Sequence, residues 1–375
     1  MHQRLFPRRL ALPLLVTAAL AAAPACAQLK PAMQDPAKVL ERVAAPDVQQ
    51  SKQQLDLLVR KSGTDWAAVE AVLARPGLDD AGKEFLLHDV LLQIRDFEPD
   101  DEALAFVVRL RDYASKVYVP HDEGPLPVAA YPISTLAEGT LSLWQRRDVM
   151  RKTATALAAG DMRSLEYLRQ PGSDEYAGAL AALNEADVLA IRQAREWLTA
   201  NASGSDFYQA RCIAALKVGD SREISRLLQS GSGVAALQTL HAIRANFEAD
   251  TAFGVLQTAT DNPSIASAAV FEIDALRGSG LTAQVDDYLL DTLADPELGA
   301  TAATIIARRE DPGLLTRVAD LLTASDATAS QQARAVLALR LTDNQQARRA
   351  LRDAIESESL TDPALHKEAA RWLQD

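Results

Sequence analysis

The chain has 375 residues, of which 48% are hydrophobic and 24% charged, and its 51 acidic and 39 basic residues give a net charge of −12. The hydrophobic share is too high for a disordered chain, and two cysteines are too few for a disulfide-stapled fold. The acidic balance argues against a nucleic-acid partner, because phosphate contacts need a basic surface, so a globular or helical-repeat protein remains.

The first 27 residues have the pattern of a secretory signal peptide. Three arginines precede a short apolar run over 10–23, and the small residues Ala25 and Ala27 mark a cleavage point. The apolar run is shorter than the roughly 20 residues that span a bilayer. The sequence therefore predicts a periplasmic or secreted protein with no transmembrane segment in the mature chain.

Cys26 leaves open whether the exported chain carries a membrane tether. Cleavage after Ala27 removes this cysteine, whereas cleavage before it would leave an N-terminal cysteine that can be lipidated. We favour cleavage after Ala27, because Ala23 stands where lipoprotein signals usually have leucine. A mature chain that starts at Gln28 has a net charge of −15 and keeps only Cys212, which lies in an apolar helical run and is predicted to be buried.

Residues 28–232 are predicted to form helices without a regular spacing. Apolar residues such as Leu86, Val90 and Ile94 recur at intervals of three and four, which is the period of one helix face. Turn signals such as Pro171-Gly172 separate short helical segments. Alternation with a period of two, which marks strands, is almost lacking.

The segment 117–133 interrupts the helical pattern, because it holds four prolines, two tyrosines and one histidine. Proline lacks the backbone N–H and clashes with the preceding helical turn, so we predict a loop without secondary structure of its own. Aromatic residues gather around this loop in the sequence and suggest a binding pocket with a polar lip. The predicted binding residues are Tyr118, His121, Asp122, Glu123, Tyr131 and Trp144. The alternative is an insertion that only packs over the helices.

Residues 233–375 repeat with a period of about 31–33. Helices end in a small or apolar pair followed by arginine, and the steps between these arginines are 33, 31, 32 and 31 residues. The arginine series consists of Arg244, Arg277, Arg308, Arg340 and Arg371. Each step contains a second helix with leucines, so the unit is a helix pair that buries its apolar face only against neighbouring pairs.

Two interpretations of the arginine series remain open. The first is structural: each arginine ties one repeat to the next, with Asp287, Asp320 and Asp353 as the expected partners. The second is a basic stripe for an acidic ligand, which the acidity of the surrounding chain works against.

Helix pairs of about 31 residues, with openings such as Asp311-Pro312 and Asp362-Pro363 and an alanine-rich second half, resemble short bacterial HEAT-like repeats of the armadillo type. The resemblance covers 233–375 best and 40–230 more loosely, where tetratricopeptide-like pairs are the second choice. It implies an all-α fold, an α-solenoid of stacked antiparallel helix pairs. It implies no particular function, because such scaffolds serve many.

The sequence predicts no catalytic residue, cofactor or metal site. It contains no zinc-protease helix motif, Cys-x-x-Cys pair, glycine-rich phosphate loop or nucleophile elbow. We predict a non-catalytic scaffold that binds a protein or peptide partner of the cell envelope on its helical surface. The alternative is an enzyme or small-ligand-binding protein with its site at 117–133, although His121, Asp122 and Glu123 are consecutive and cannot all face one substrate in an extended segment.

Overall fold

The computed structural model describes residues 32–60, 63–121 and 124–374. The predicted signal peptide and Cys26 therefore lie outside the described residues, as do Asp122 and Glu123. The chain forms two compact units that divide between Leu141 and Ser142, within one long helix. The sequence boundary at 232/233 follows repeat regularity instead, and it does not coincide with this division.

The described chain is mostly helical, as predicted for an all-α protein. The first unit contains α1 (Pro36–Val43), α2 (Pro46–Leu58), α3 (Trp66–Leu73), α4 (Asp80–Ile94), α5 (Asp101–Arg111), the strands β1 (Tyr118–His121) and β2 (Gly124–Ala129), and the start of α6 (Ile133–Ala158). None of the helices in the described part of the chain is long and apolar enough to cross a membrane.

The second unit continues α6 and adds α7 (Asp174–Glu185), α8 (Val188–Asn201), α9 (Tyr208–Val218), α10 (Ser221–Ser230), α11 (Gly233–Asn246), α12 (Ala249–Ala259), α13 (Ala266–Ala275), α14 (Thr282–Thr292), α15 (Gly299–Arg309), α16 (Pro312–Thr323), α17 (Ala329–Thr342), α18 (Gln345–Glu356) and α19 (Pro363–Trp372). Short 3₁₀-helices span Met162–Arg169 and Leu276–Ser279.

The Asp-Pro openings at Asp311 and Asp362 are helix N-termini, as predicted, whereas the predicted opening at Asp295-Pro296 is wrong: this dipeptide lies in a turn and α15 begins at Gly299. Asp311 Oδ1 accepts hydrogen bonds from the backbone N–H groups of Gly313 and Leu314 at 2.9 and 3.1 Å. Asp362 Oδ1 accepts one from Ala364 at 2.8 Å. The aspartate satisfies N–H groups that have no partner in the first turn, and the proline after it has no N–H to leave unpaired.

The segment predicted to be a loop folds as a β-hairpin, so that prediction is wrong, although the exclusion of helix holds. Strand β1 pairs antiparallel with β2, with Pro120 opposite Pro127 and Val119 opposite Val128. Antiparallel ladders alternate between hydrogen-bonded and non-hydrogen-bonded pairs. Two facing prolines lose no ladder hydrogen bond only if they form a non-hydrogen-bonded pair. The pairing of Pro120 with Pro127 at such a position explains how a proline-rich segment forms strands.

One face of the hairpin packs into the first unit. Val117 is fully buried, and it forms a small cluster with Val39 and Ala81 against which Val119 and Tyr131 pack. This cluster attaches the proline-rich segment to the α1 and α4 helices, so the segment is an ordered part of the fold.

In the second unit, helices with odd numbers pack against one another in chain order, from α7 and α9 through α11, α13 and α15 to α17 and α19. Among the even-numbered helices, α10 packs against α12, and α16 packs against α18. One continuous cluster of buried apolar side chains extends from α9 to α19. Neighbouring helix pairs therefore share a single core, which none of them could form alone.

Candidate functional site

Three described residues at the hairpin are predicted to bind a partner, Tyr118, His121 and Tyr131, and they do not converge. The ring of Tyr131 packs on α4, with centroids 5.9 Å from Phe85 and 5.7 Å from His88. Tyr118 precedes Val119 in β1, and because successive side chains of a strand point to opposite faces, Tyr118 lies on the face away from the core. His121 is exposed at the end of the strand. Within the first unit, Tyr118 and Tyr131 thus line different surfaces.

Trp144, the remaining member of the predicted set, belongs to the second unit. Its side chain is buried, with 4% of its surface exposed. A ring this buried offers almost no surface to a ligand.

A buried carboxylate lies where the chain enters the hairpin. Glu84 on α4 is fully buried, and its Oε1 accepts a hydrogen bond from the Lys116 backbone N–H at 2.6 Å. Its Oε2 has no hydrogen-bond partner among the described residues. Burial raises the pKa of Glu84, and burial also raises the pKa of the neighbouring Tyr113 to about 12. Glu84 therefore holds the segment before β1 in place, which is a structural role.

The second unit has a groove across α7, α9 and α11 with a cavity volume of about 560 Å³. Leu180, Ile213 and Ala242 contribute apolar surface to it, one from each helix. This volume lies within the range of ligand-binding clefts, which are mostly apolar with a few well-placed polar groups.

A hydrogen-bonded row of polar side chains runs across the groove. The hydroxyl of Tyr176 donates to Gln209 Oε1 at 2.9 Å, and Gln209 Nε2 donates to Gln238 Oε1 at 3.4 Å. Burial raises the pKa of Tyr176, so its hydroxyl stays protonated and able to donate. The row ends at Gln238, which is exposed and whose Nε2 makes no hydrogen bond among the described residues. The groove therefore presents amide donors to an acceptor such as a peptide carbonyl.

The groove is nearly free of charge, although the chain is acidic. Lys217 is its single charged lining residue in the described part of the chain. The ammonium donates to the backbone oxygens of Asn184 and Ala186, at the end of α7, where a cation is favourable. Cys212 lines the base and is buried, as predicted, and burial raises the pKa of its thiol, so the uncharged form dominates.

Among the described residues, three arginines of the series form ion pairs, but with other acids than predicted. Arg244 on α11 donates to Glu272 Oε2 on α13 at 2.9 Å, and Arg340 on α17 donates to Glu368 Oε1 on α19 at 3.2 Å. Arg277 pairs with Asp286 and Asp311.

The sequence predicts Asp287, Asp320 and Asp353 as the partners of this series, but no ion pair between described residues joins them to it. Asp287 pairs with Arg317 on α16 at 2.5 Å instead. The spacing of acids in a sequence gives the helix they belong to, but the rotation of that helix decides which side they face.

No protein family, curated protein or solved structure matches this chain. In the described ranges, no three His, Cys, Asp or Glu side chains are placed to hold a metal ion. The groove is therefore the main structural indication of function in the described residues.

Sequence reasoning missed the groove because it searched for motifs. A weak signal was present: Tyr176, Gln209 and Gln238 follow one another at 33 and 29 residues, close to the repeat period. Polar residues that recur with the period of a helical repeat occupy equivalent positions on neighbouring helices.

Proposed function

We propose that this chain is a non-catalytic scaffold of the cell envelope that binds a protein or peptide partner in the groove across α7, α9 and α11. The observation that carries the proposal is the hydrogen-bonded row of Tyr176, Gln209 and Gln238 beside apolar side chains. Amide side chains both donate and accept hydrogen bonds, so they suit the backbone of an extended peptide.

The proposal includes an α-solenoid of HEAT-like repeats as the architecture of the second unit. It is supported by the packing of odd-numbered helices in chain order and by the arginines that recur every 31–33 residues. Stacked repeats create extended surfaces that bind protein segments.

The size of the bound segment follows from the helix spacing. Packed helices lie about 8–10 Å apart, and an extended chain advances about 3.3 Å per residue. A segment that crosses three helices therefore has roughly five or six residues. Alternate side chains of such a segment would lie against Leu180, Ile213 and Ala242.

Export by a signal peptide cleaved after Ala27 is also part of the proposal, and lipidation of Cys26 is its alternative. Mass spectrometry of the mature N-terminus distinguishes the two. Gln28 as the first residue excludes the tether, whereas a lipid-modified Cys26 establishes it.

Site-specific photo-crosslinking in the envelope of the native cell tests the groove. A photoreactive residue at Ala235, which lines the groove, should capture a partner that the same residue at exposed Thr316 on α16 does not. The captured protein is then purified, and its Kd is measured by calorimetry with the wild type and with Gln238→Ala. We expect the variant to bind about tenfold more weakly; equal affinities would contradict the proposal.

A small apolar ligand in the same groove is the second candidate, favoured by the cavity volume of about 560 Å³. Native mass spectrometry of the protein purified from its own cell distinguishes it. A retained compound of low mass that Ile213→Trp removes would support this candidate.

A further inference from the structure

In the described part of the chain, Arg308 lacks the ion pair that Arg244 and Arg340 of the same series form. Arg244 and Arg340 each pair with a glutamate of the next odd-numbered helix. Arg308 on α15 has no carboxylate partner among the described residues and is exposed. Its guanidinium carbon lies 5.8 Å from the ring centroid of Phe271 on α13, which itself is 40% exposed.

The seam between α13 and α15 therefore presents a cation on an aromatic ring. Ser267 lies about one helical turn before Phe271, and Thr301 about two turns before Arg308. Their hydroxyls are 3.2 Å apart across the same seam. Stacking on Phe271 holds the planar guanidinium in place while its N–H groups remain available. The seam thus combines an oriented cation, an exposed ring and two hydroxyls.

We propose that this seam binds a carboxylate of the same peptide segment that occupies the groove, with Arg308 as the ion-pair partner and Phe271 as the surface on which the segment rests. The inference depends on the proposed function of the groove, and it adds the chemical class of the partner: an extended segment with an apolar stretch and an acidic group.

Charge complementarity carries this choice of partner. The chain has a net charge of −12, and Glu272 and Glu368 neutralise the arginines at the α11–α13 and α17–α19 seams. An arginine left without an acid on such a surface attracts a carboxylate locally, and its planar fork matches carboxylate geometry. The acidity of the whole chain repels a highly charged ligand, so the segment carries one carboxylate at this point and few others.

The helix spacing gives the distance between the two parts of the segment. Two helix separations, from α11 to α15, correspond to about 16–20 Å, which an extended chain covers in roughly five or six residues. The carboxylate therefore follows or precedes the apolar stretch by about that number of residues.

Peptide display on the full chain tests the inference. A library of random peptides, long enough to cover both parts, is selected on the immobilised protein, and enriched sequences are synthesised with a fluorescent label. Binding is measured by anisotropy with the wild type, Arg308→Gln, Arg308→Lys and Gln238→Ala. Arg340→Gln is the matched control, because Arg340 is about half exposed but is already paired with Glu368.

We expect the enriched peptides to share an acidic residue at a fixed distance from an apolar stretch. Arg308→Gln should weaken their binding about five- to tenfold, Arg308→Lys should weaken it less, and Arg340→Gln should leave it unchanged. Replacing the acidic residue of the peptide by its amide should abolish the difference between the wild type and Arg308→Gln.

The outcomes separate the inference from the proposed function. If binding depends on Gln238 but not on Arg308, the seam is not part of the site and the inference is wrong, while the proposed function stands. If binding depends on neither residue, or if the library yields no binder, both are overturned. If it depends on Arg308 alone, the segment does not continue into the groove, which contradicts both.

Discussion

The two compact units use charged side chains in different ways. In the second unit, one relation recurs: Arg244 with Glu272 and Arg340 with Glu368, each pair 28 residues apart and each joining consecutive odd-numbered helices. In the first unit, the buried Glu84 accepts hydrogen bonds from the Lys116 backbone N–H and from the Tyr113 hydroxyl, and these contacts hold the chain before the hairpin. Repetition lets one contact serve several interfaces, whereas an irregular unit depends on contacts that occur once.

Buried amides add a second set of connections in the second unit. Asn262 Nδ2 donates to the backbone oxygens of Leu228 and Gly231 at 2.6 and 2.7 Å. Gln332 Nε2 donates to those of Leu322 and Ser359, both at 3.1 Å. Each amide satisfies one carbonyl group in the last turn of a helix and one beyond a helix end, where backbone acceptors lack helical partners.

Removing the central arginine of the buried ion network should have the largest effect. Arg309 pairs with Asp274 and, at 2.8 Å, with Asp286, and only 11% of its side chain is exposed. Arg309→Ala leaves the half-buried Asp274 without its cation and the buried Asp286 with Arg277 alone, so it should lower the free energy of unfolding by about 2 kcal/mol in urea titrations. Arg317→Ala, which breaks an exposed pair with Asp287, should cost less than about 1 kcal/mol. If both variants lost a similar amount of unfolding free energy, burial would not explain a difference between the two ion pairs.

Overpacking at Gly231 should have the second-largest effect on stability. A Cβ at this position would overlap the Tyr208 hydroxyl and come within 2.5 Å of its Cζ. Gly231→Ala should therefore destabilise the protein by about 1–3 kcal/mol in thermal and urea unfolding. Gly254→Ala on α12, where a Cβ meets no atom within 4 Å, is the control and should be neutral or stabilising. A neutral Gly231→Ala would mean that Tyr208 moves aside readily.

Glu84→Gln should change how stability depends on pH. Because burial raises the folded-state pKa of Glu84, the folded protein binds this proton more tightly than the unfolded chain. The contribution of protonated Glu84 to the free energy of unfolding is present at acidic pH, and it is lost as the pH rises through the folded-state pKa. Glu84→Gln, which is always neutral, should be more stable than the wild type by about 1 kcal/mol near neutral pH, with the difference disappearing on acidification.

Urea unfolding over a pH series measures this difference. Glu70→Gln is the control, because Glu70 is an exposed carboxylate paired with Arg109. A constant difference between Glu84→Gln and the wild type at every pH would rule out titration of Glu84 as the cause.

The smallest effect on stability is expected at the outer face of the hairpin. Tyr118 is half-buried but lies away from the core cluster, so Tyr118→Ala should lower the unfolding free energy by less than about 1 kcal/mol and leave partner binding in the groove unchanged. Tyr131→Ala should destabilise the protein more, because its ring packs on Phe85 and His88. Loss of partner binding in Tyr118→Ala, with stability unchanged, would move the site from the groove to the hairpin, as the sequence predicted.

Local sequence rules account for much of the helical structure. The aspartates at 311 and 362 begin helices because their side chains and the following prolines satisfy the first turn without help from the rest of the chain. The period of three and four residues likewise places Leu86, Val90 and Ile94 on the buried face of α4. Cys212 is buried because it lies in such an apolar run.

The sequence by itself determined the helical character, the helix openings and the repeat period, because these depend on neighbouring residues within a few turns. Only the tertiary structure decided that Pro120 and Pro127 face each other in a hairpin, since strand pairing joins two segments whose register is set by packing. It also decided which acids meet the arginines and that Tyr176, Gln209 and Gln238 form one row. The relative rotation of packed helices fixes such contacts, and a repeat period does not specify that rotation.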